Sequence, residues 1–136
     1  MVHAVRVKHP GSCHCGAVRF EIDHNLASAG RCNCSVCTKV AGTTVNLPPE
    51  KLEVLAGESD LTAYEWGAKV GKRYFCKHCG VTVFSRGELA QLGGKFVSVN
   101  INTLDGVDPN VVPVEHLDGR HDNWMAGARP QPWPIL

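Results

Sequence analysis

The chain has 136 residues, enough for one domain with a modest core. Hydrophobic residues make up 43% and charged residues 20%, an ordinary globular mix, and the formal net charge of +1 offers neither an electrostatic footprint for nucleic acid nor a polybasic membrane patch. No stretch is long and apolar enough to span a bilayer, and the start, MVHAVRVKHP, has neither the apolar core nor the cleavage site of a secretory signal, so a cytoplasmic location is expected.

Fourteen glycines and eight prolines are spread along the chain and break it into short elements. Residues 17–22 (AVRFEI) alternate polar and apolar side chains and read as a strand. One or two helical turns are expected near 35–40. Residues 43–47 place Val45 and Leu47 on one strand face. Residues 61–66, 73–75, 81–85 and 96–101 are rich in β-branched and aromatic residues and read as further strands. Many short strands with turn signals between them indicate a mostly β fold in a single domain over 1–136, with its core at about 11–106 and an extended tail over 107–136. From Arg129 the chain reads RPQPWPIL, and three prolines in eight residues exclude a helix there. Trp66, Tyr74, Phe75 and Phe96 are expected in the core, with Trp124 and Trp133 covering the sheet or an interface.

Seven cysteines fall into three clusters: Cys13-His14-Cys15-Gly16, then Cys32-Asn33-Cys34-Ser35-Val36-Cys37, then Cys76-Lys77-His78-Cys79-Gly80. In a reducing compartment such clusters are metal or catalytic sites before they are disulfides, and an odd number excludes complete internal pairing. The first and third clusters are close pairs followed at once by Gly, which tolerates the positive φ of a sharp turn and lets backbone N–H groups approach the thiolates. Two such pairs supply four thiolates, which suits tetrahedral zinc, or iron. Cys13, Cys15, Cys76 and Cys79 are therefore assigned to one closed structural site, against the blander reading of four buried apolar cysteines. His14 and His78, inside the pairs, are read as exposed loop residues pointing away from the metal.

Cys32, Cys34 and Cys37 put three sulfurs within one short turn and leave one coordination position free, the mark of a catalytic rather than a structural zinc. The start of the short helix favours thiolates at Cys34 and Cys37. Two other readings stand beside this one: a second structural site closed by a distant His or Asp, and a redox or sulfur-transfer role.

The stretch Gly11-Ser-Cys-His-Cys-Gly-Ala-Val-Arg-Phe20, the Cys32-x-Cys-x-x-Cys37 cluster and Tyr74-Phe-Cys-x-x-Cys-Gly80 resemble, in the same order, the family of glutathione-dependent formaldehyde-activating enzyme and centromere protein V. The resemblance runs from about Gly11 to Gly106 and continues more weakly through His116-Leu-Asp-Gly-Arg120. It implies a β-tent, a mostly β architecture of short antiparallel strands around a zinc site between hairpins. It implies Cys13, Cys15, Cys76 and Cys79 as ligands of a structural zinc, and Cys32, Cys34 and Cys37 as ligands of a second, catalytic zinc. The implied activity is carbon–sulfur lyase or synthase chemistry on a glutathione adduct such as S-(hydroxymethyl)glutathione. The alternative is a non-catalytic zinc module that binds a protein partner. An anionic tripeptide calls for cations and amides near the site. Lys39, Lys72, Arg73, Arg86, Asn100 and Asn102 are candidates, each weighed against a solvated surface residue or a turn former. The stretch 118–122 (DGRHD) reads as a polar turn, with Arg120 or His121 as lesser candidates for the site.

Overall fold

The computed structural model describes residues 7–66, 71–90 and 93–136. The first six residues, part of the stretch read above for a secretory signal, lie outside them. The described chain is mostly β. Its strands are β1 (Lys8–Ser12), β2 (Arg19–Asp23), β3 (Ala29–Cys32), β4 (Thr44–Leu47), β5 (Leu52–Ala56), β6 (Leu61–Tyr64), β7 (Gly71–Cys76), β8 (Thr82–Leu89), β9 (Gly94–Asn100) and β10 (Val114–Leu117). One short helix, α1 (Ser35–Val40), follows β3. The strands form a three-stranded sheet in the order β1-β2-β5 and a seven-stranded sheet in the order β10-β3-β4-β9-β8-β7-β6.

Alternation decides which faces meet. In β2, Phe20 and Ile22 are buried while Arg19 is exposed. In the larger sheet, β4 turns Val45 and Leu47 inward opposite Val99 and Val97 of β9, and Val83 and Phe84 of β8 are buried beside them. Phe20 from the small sheet meets Phe84 from the large one edge-on, with ring centroids 5.9 Å apart and planes at 81°. That geometry favours both rings beyond the area they bury. Gly11 lies opposite Phe20 in the β1–β2 register, and a Cβ there would collide with the phenyl ring, so β1 crosses this part of the core only as glycine.

The aromatic expectations need correction. Trp66 is exposed, Phe75 and Phe96 are half-buried, and Tyr74 only packs against the core, because the deepest positions go to Phe20, Phe84 and a set of valines. Trp66 instead stacks on Tyr64, 5.8 Å away with planes 10° apart.

The chain beyond Gly106 returns to the large sheet. β10 lies parallel to β3, the one parallel pair among the described strands. The residues after it are irregular and pinned. The His116 N–H donates to Arg129 O at 2.7 Å, the Arg129 N–H donates back to His116 O at 3.0 Å, and Trp133 Nε1–H donates to the same carbonyl at 2.9 Å. The Arg129 guanidinium lies 3.6 Å over the Trp133 ring. No helix of the described residues is long and apolar enough to cross a membrane.

Candidate metal centres and the cleft beside them

The first centre sits where two hairpin turns meet, one between β1 and β2 and one between β7 and β8. Cys13, Cys15, Cys76 and Cys79 bring their sulfurs within 4.8 Å of one another. Two of the separations are 3.6 Å (Cys13–Cys15) and 3.7 Å (Cys15–Cys76). Four sulfurs at about 2.3 Å from one tetrahedral zinc stand about 3.8 Å apart, so the spacing fits that ion. Both turns close alike. The Gly16 N–H donates to Cys13 O at 3.2 Å and the Gly80 N–H to Cys76 O at 2.8 Å. The two glycines hold φ of +83° and +77°, where a side chain would be strained. Backbone N–H groups face the sulfurs, from Val18 to Cys13 at 3.3 Å and from His78 to Cys76 at 3.4 Å.

Cys13, Cys15 and Cys79 differ in acidity. Burial raises Cys13, but the Val18 amide and the Cys15 and Cys76 thiols outweigh it and bring it down. Backbone amides of Cys15 and Val81 draw Cys79 down to about 6. The Ala17 amide pulls Cys15 down, yet the proton it shares with Cys13, together with desolvation, pushes it up to about 12. A divalent cation supplies the charge that lets all four be thiolates. His14 is exposed, and His78 Nε2 lies 2.9 Å from Asp60 Oδ1, so neither histidine belongs to the cluster.

The second centre is the turn from β3 into α1. Cys32 ends the strand, Cys34 is the N-cap of the helix and Cys37 lies in its first turn. Their sulfurs are also within 4.8 Å of one another, and all three are half-buried. The Cys37 N–H donates to Cys34 Sγ at 3.5 Å. The proton shared with Cys37 draws Cys32 down to about 5, against burial and with help from the Cys34 and Gly119 amides. Cys37 is pushed well up, by that same sharing and by burial, although Arg73 opposes the shift. Arg73 Nη2 donates to Cys37 Sγ at 3.0 Å.

Around this centre opens a cavity of about 370 Å³. Cys32, Cys34 and Cys37 meet Arg73, Lys72 and Arg86 there, with Trp66 and Trp124 at its walls, and among the described residues no carboxylate lines it. A site of this kind favours anions. The candidate residues separate accordingly. Arg86 stacks over the rings of Tyr74 and Phe84 and approaches Glu58 at 3.6 Å, and Lys72 pairs with Glu65 at 3.9 Å. Lys39 is exposed at the far end of α1 and does not line the cavity. Asn100 lines the cavity while donating to Thr82 O at 3.0 Å and capping the turn at Ile101–Thr103, whereas Asn102 is exposed and does not line it.

Sequence reasoning missed the brace behind the cysteines. Asn33 sits between Cys32 and Cys34. Its Nδ2 donates to Asp118 Oδ1 at 2.8 Å, and its Oδ1 accepts from the Arg120 N–H at 2.9 Å. Arg120 Nε donates to Asn33 O at 2.9 Å. Asp118 is buried. Desolvation raises its pKa, but Asn33, His121 (2.7 Å) and Asn123 (3.3 Å) overcome this and hold the carboxyl below its usual range. The polar stretch 118–122 thus serves the centre by fixing its loop. The weaker resemblance at His116–Arg120 was the one sequence signal for it.

A family model described as glutathione-dependent formaldehyde-activating enzyme matches residues 8–118. A relative from Emericella nidulans, named for that enzyme, is 32% identical over 135 residues, covering 74% of this chain and 65% of its own. One from Penicillium rubens is 35% identical over 80 residues, 54% of this chain and 41% of its own, and one from Halomonas elongata 36% over 80 residues, 51% and 50%. The chain thus spans between 41% and 65% of the length of these curated relatives. A crystal structure of a Rhodobacter sphaeroides protein superposes with a TM-score of 0.66 at 32% identity, covering 76% of this chain and 93% of that one. With the family model matched over most of its length and two clusters of cysteines spaced for metal, the chain belongs to the glutathione-dependent formaldehyde-activating enzyme family.

Proposed function

We propose that this protein is a zinc-dependent carbon–sulfur lyase or synthase of the cytoplasm, acting as one domain over 1–136. It joins glutathione or a similar thiol to formaldehyde to give an adduct such as S-(hydroxymethyl)glutathione, or cleaves that adduct. The observation that carries the reading is the three-sulfur cluster of Cys32, Cys34 and Cys37 facing a cleft lined by cations and, among the described residues, by no carboxylate. Cys13, Cys15, Cys76 and Cys79 hold the structural zinc in this reading, and Cys32, Cys34 and Cys37 hold the second ion with one position left for substrate. A zinc ion there supplies Lewis acidity and keeps a thiol ionised at neutral pH. The chain does the rest. The Asn33–Asp118–Arg120 brace fixes the three sulfurs, Lys72 and Arg86 attract the carboxylates of the tripeptide, and Trp66 and Trp124 shield the reacting carbon from water. A concave site of this kind favours an enzyme over a protein-binding module, which needs a broad complementary surface instead.

The test is a zinc count combined with calorimetric titration of glutathione. Two zinc per chain and saturable glutathione binding are expected, and Cys34→Ala should abolish the binding while the fold and one zinc persist. One tightly held zinc and no binding of any low-molecular thiol would transfer support to the protein-binding module.

A further inference from the structure

Arg73 carries the one buried side-chain nitrogen or oxygen among the described residues that has no hydrogen-bond partner, its Nε. Nη2 is on Cys37 Sγ at 3.0 Å, and the central carbon lies 5.2 Å from the centroid of the Trp66 ring. A buried N–H left without an acceptor is costly, and an acceptor brought by a ligand removes that cost. Among the described residues no carboxylate lining the cleft supplies it. The guanidinium is a rigid planar fork, so with one arm on Cys37 the acceptor of Nε–H must sit beside the cysteine cluster.

The next step rests on the function proposed above. A substrate sulfur held beside Cys37 would bring one oxygen with it at short range, the oxygen on the adjoining carbon of the S–C–O unit. The carboxylates of a tripeptide thiol lie several bonds further away. We propose that Arg73 is a catalytic residue whose Nε–H binds this oxygen and stabilises the alkoxide that develops there. In the forward direction the thiolate sulfur adds to the aldehyde carbon and the C–S bond forms. The C=O π pair moves onto oxygen beside Arg73, and a solvent proton completes the hydroxyl. In reverse the hydroxyl returns its proton to solvent, C=O re-forms and the C–S pair goes back to sulfur. Nothing is oxidised or reduced.

The experiment uses the zinc-loaded full chain with Arg73→Met and Arg73→Lys. Arg73→Lys keeps a cation for Cys37 but has no Nε–H arm. Three probes are titrated calorimetrically: thioacetate, which has an oxygen on the carbon next to sulfur, ethanethiol, which has none, and glutathione. Relative to wild type, the preference for thioacetate over ethanethiol should shrink by about tenfold or more in both variants. Zinc content and ethanethiol affinity should hold. In turnover of glutathione with formaldehyde, kcat should fall by about 100-fold or more with KM for glutathione little changed. An unchanged thioacetate preference overturns the proposal. So does a raised glutathione KM at wild-type kcat, which would mean that Arg73 holds a carboxylate. Loss of zinc from both variants overturns it in favour of a structural role. A wild-type chain that binds no thiol and turns nothing over removes the enzyme reading and this proposal together, whereas an active wild type with unaltered Arg73 variants removes this proposal alone.

Discussion

At Gly119 a methyl group would stand 2.5 Å from Cys32 Sγ and 2.7 Å from the Trp124 ring. The backbone amide of the glycine also helps lower the Cys32 pKa, so the chain passes this close to the second cysteine cluster. Gly119→Ala should therefore destabilise the protein by about 1–3 kcal/mol through overpacking and loosen the second ion selectively. In a chelator titration followed by zinc count, one zinc should leave at a lower chelator concentration than in wild type while the other stays. Release curves matching wild type would refute the assignment. This residue also marks where local reading ends. The cysteines are legible in the sequence because two or three donors a few residues apart on a tight turn have no choice but to share a site. Asn33, Asp118 and Gly119 meet across 85 or more residues, and no local pattern announces that meeting. Trp66 went to the cleft rather than the core because Phe20 and Phe84 already fill the space between the sheets.

Among the elements, most of those that carry their own periodicity were legible. Helix α1 lies where the sequence places it, and β2, β4, β6, β7, β8 and β9 each overlap an expected strand. By contrast β1 (KHPGS) has no large apolar residue, β3 (AGRC) is short and carries a metal-type cysteine, β5 (LEVLA) alternates but falls outside the expected strands, and β10 (VEHL) exists through its parallel partner. Their pairing is a tertiary decision. The turn between β2 and β3 offers a test of how such links are held. The Leu26 N–H donates to His24 Nδ1 at 2.9 Å, which holds Leu26, a residue at φ +54° that packs against the core. Burial lowers the His24 pKa, His9 adds to this, and Asp23 opposes it. A histidine lowered in the fold contributes stability that is complete above its unfolded pKa, about 6.5, and is lost as pH falls from there through the folded value. His24→Asn keeps an acceptor for the turn but does not titrate. Urea midpoints of the zinc-loaded proteins, measured on either side of about pH 6.5, should fall further for wild type than for the variant. Equal falls would show that the turn does not depend on a neutral His24.

For the molecule as a whole, the four-cysteine centre joins what the strands leave separate. Cys13 and Cys15 belong to the hairpin of the three-stranded sheet, and Cys76 and Cys79 to a hairpin of the seven-stranded one. Elsewhere the sheets meet chiefly through buried side chains such as Phe20 against Phe84. Structural zinc in small sites is worth about 10–16 kcal/mol in apparent binding free energy at neutral pH, while a domain's whole stability is about 5–15 kcal/mol. The two are of one size, so in the proposed reading, where Cys13, Cys15, Cys76 and Cys79 hold zinc, losing that ion should cost the cooperative fold itself rather than a fraction of it. Cys76→Ser should accordingly show no cooperative thermal transition by calorimetry and no near-ultraviolet signal from packed aromatics. Cys34→Ala, which disturbs only the second centre, should keep both. A Cys76→Ser variant that melts cooperatively near the wild-type temperature would place the stability in the aromatic core and reduce the first zinc to an accessory.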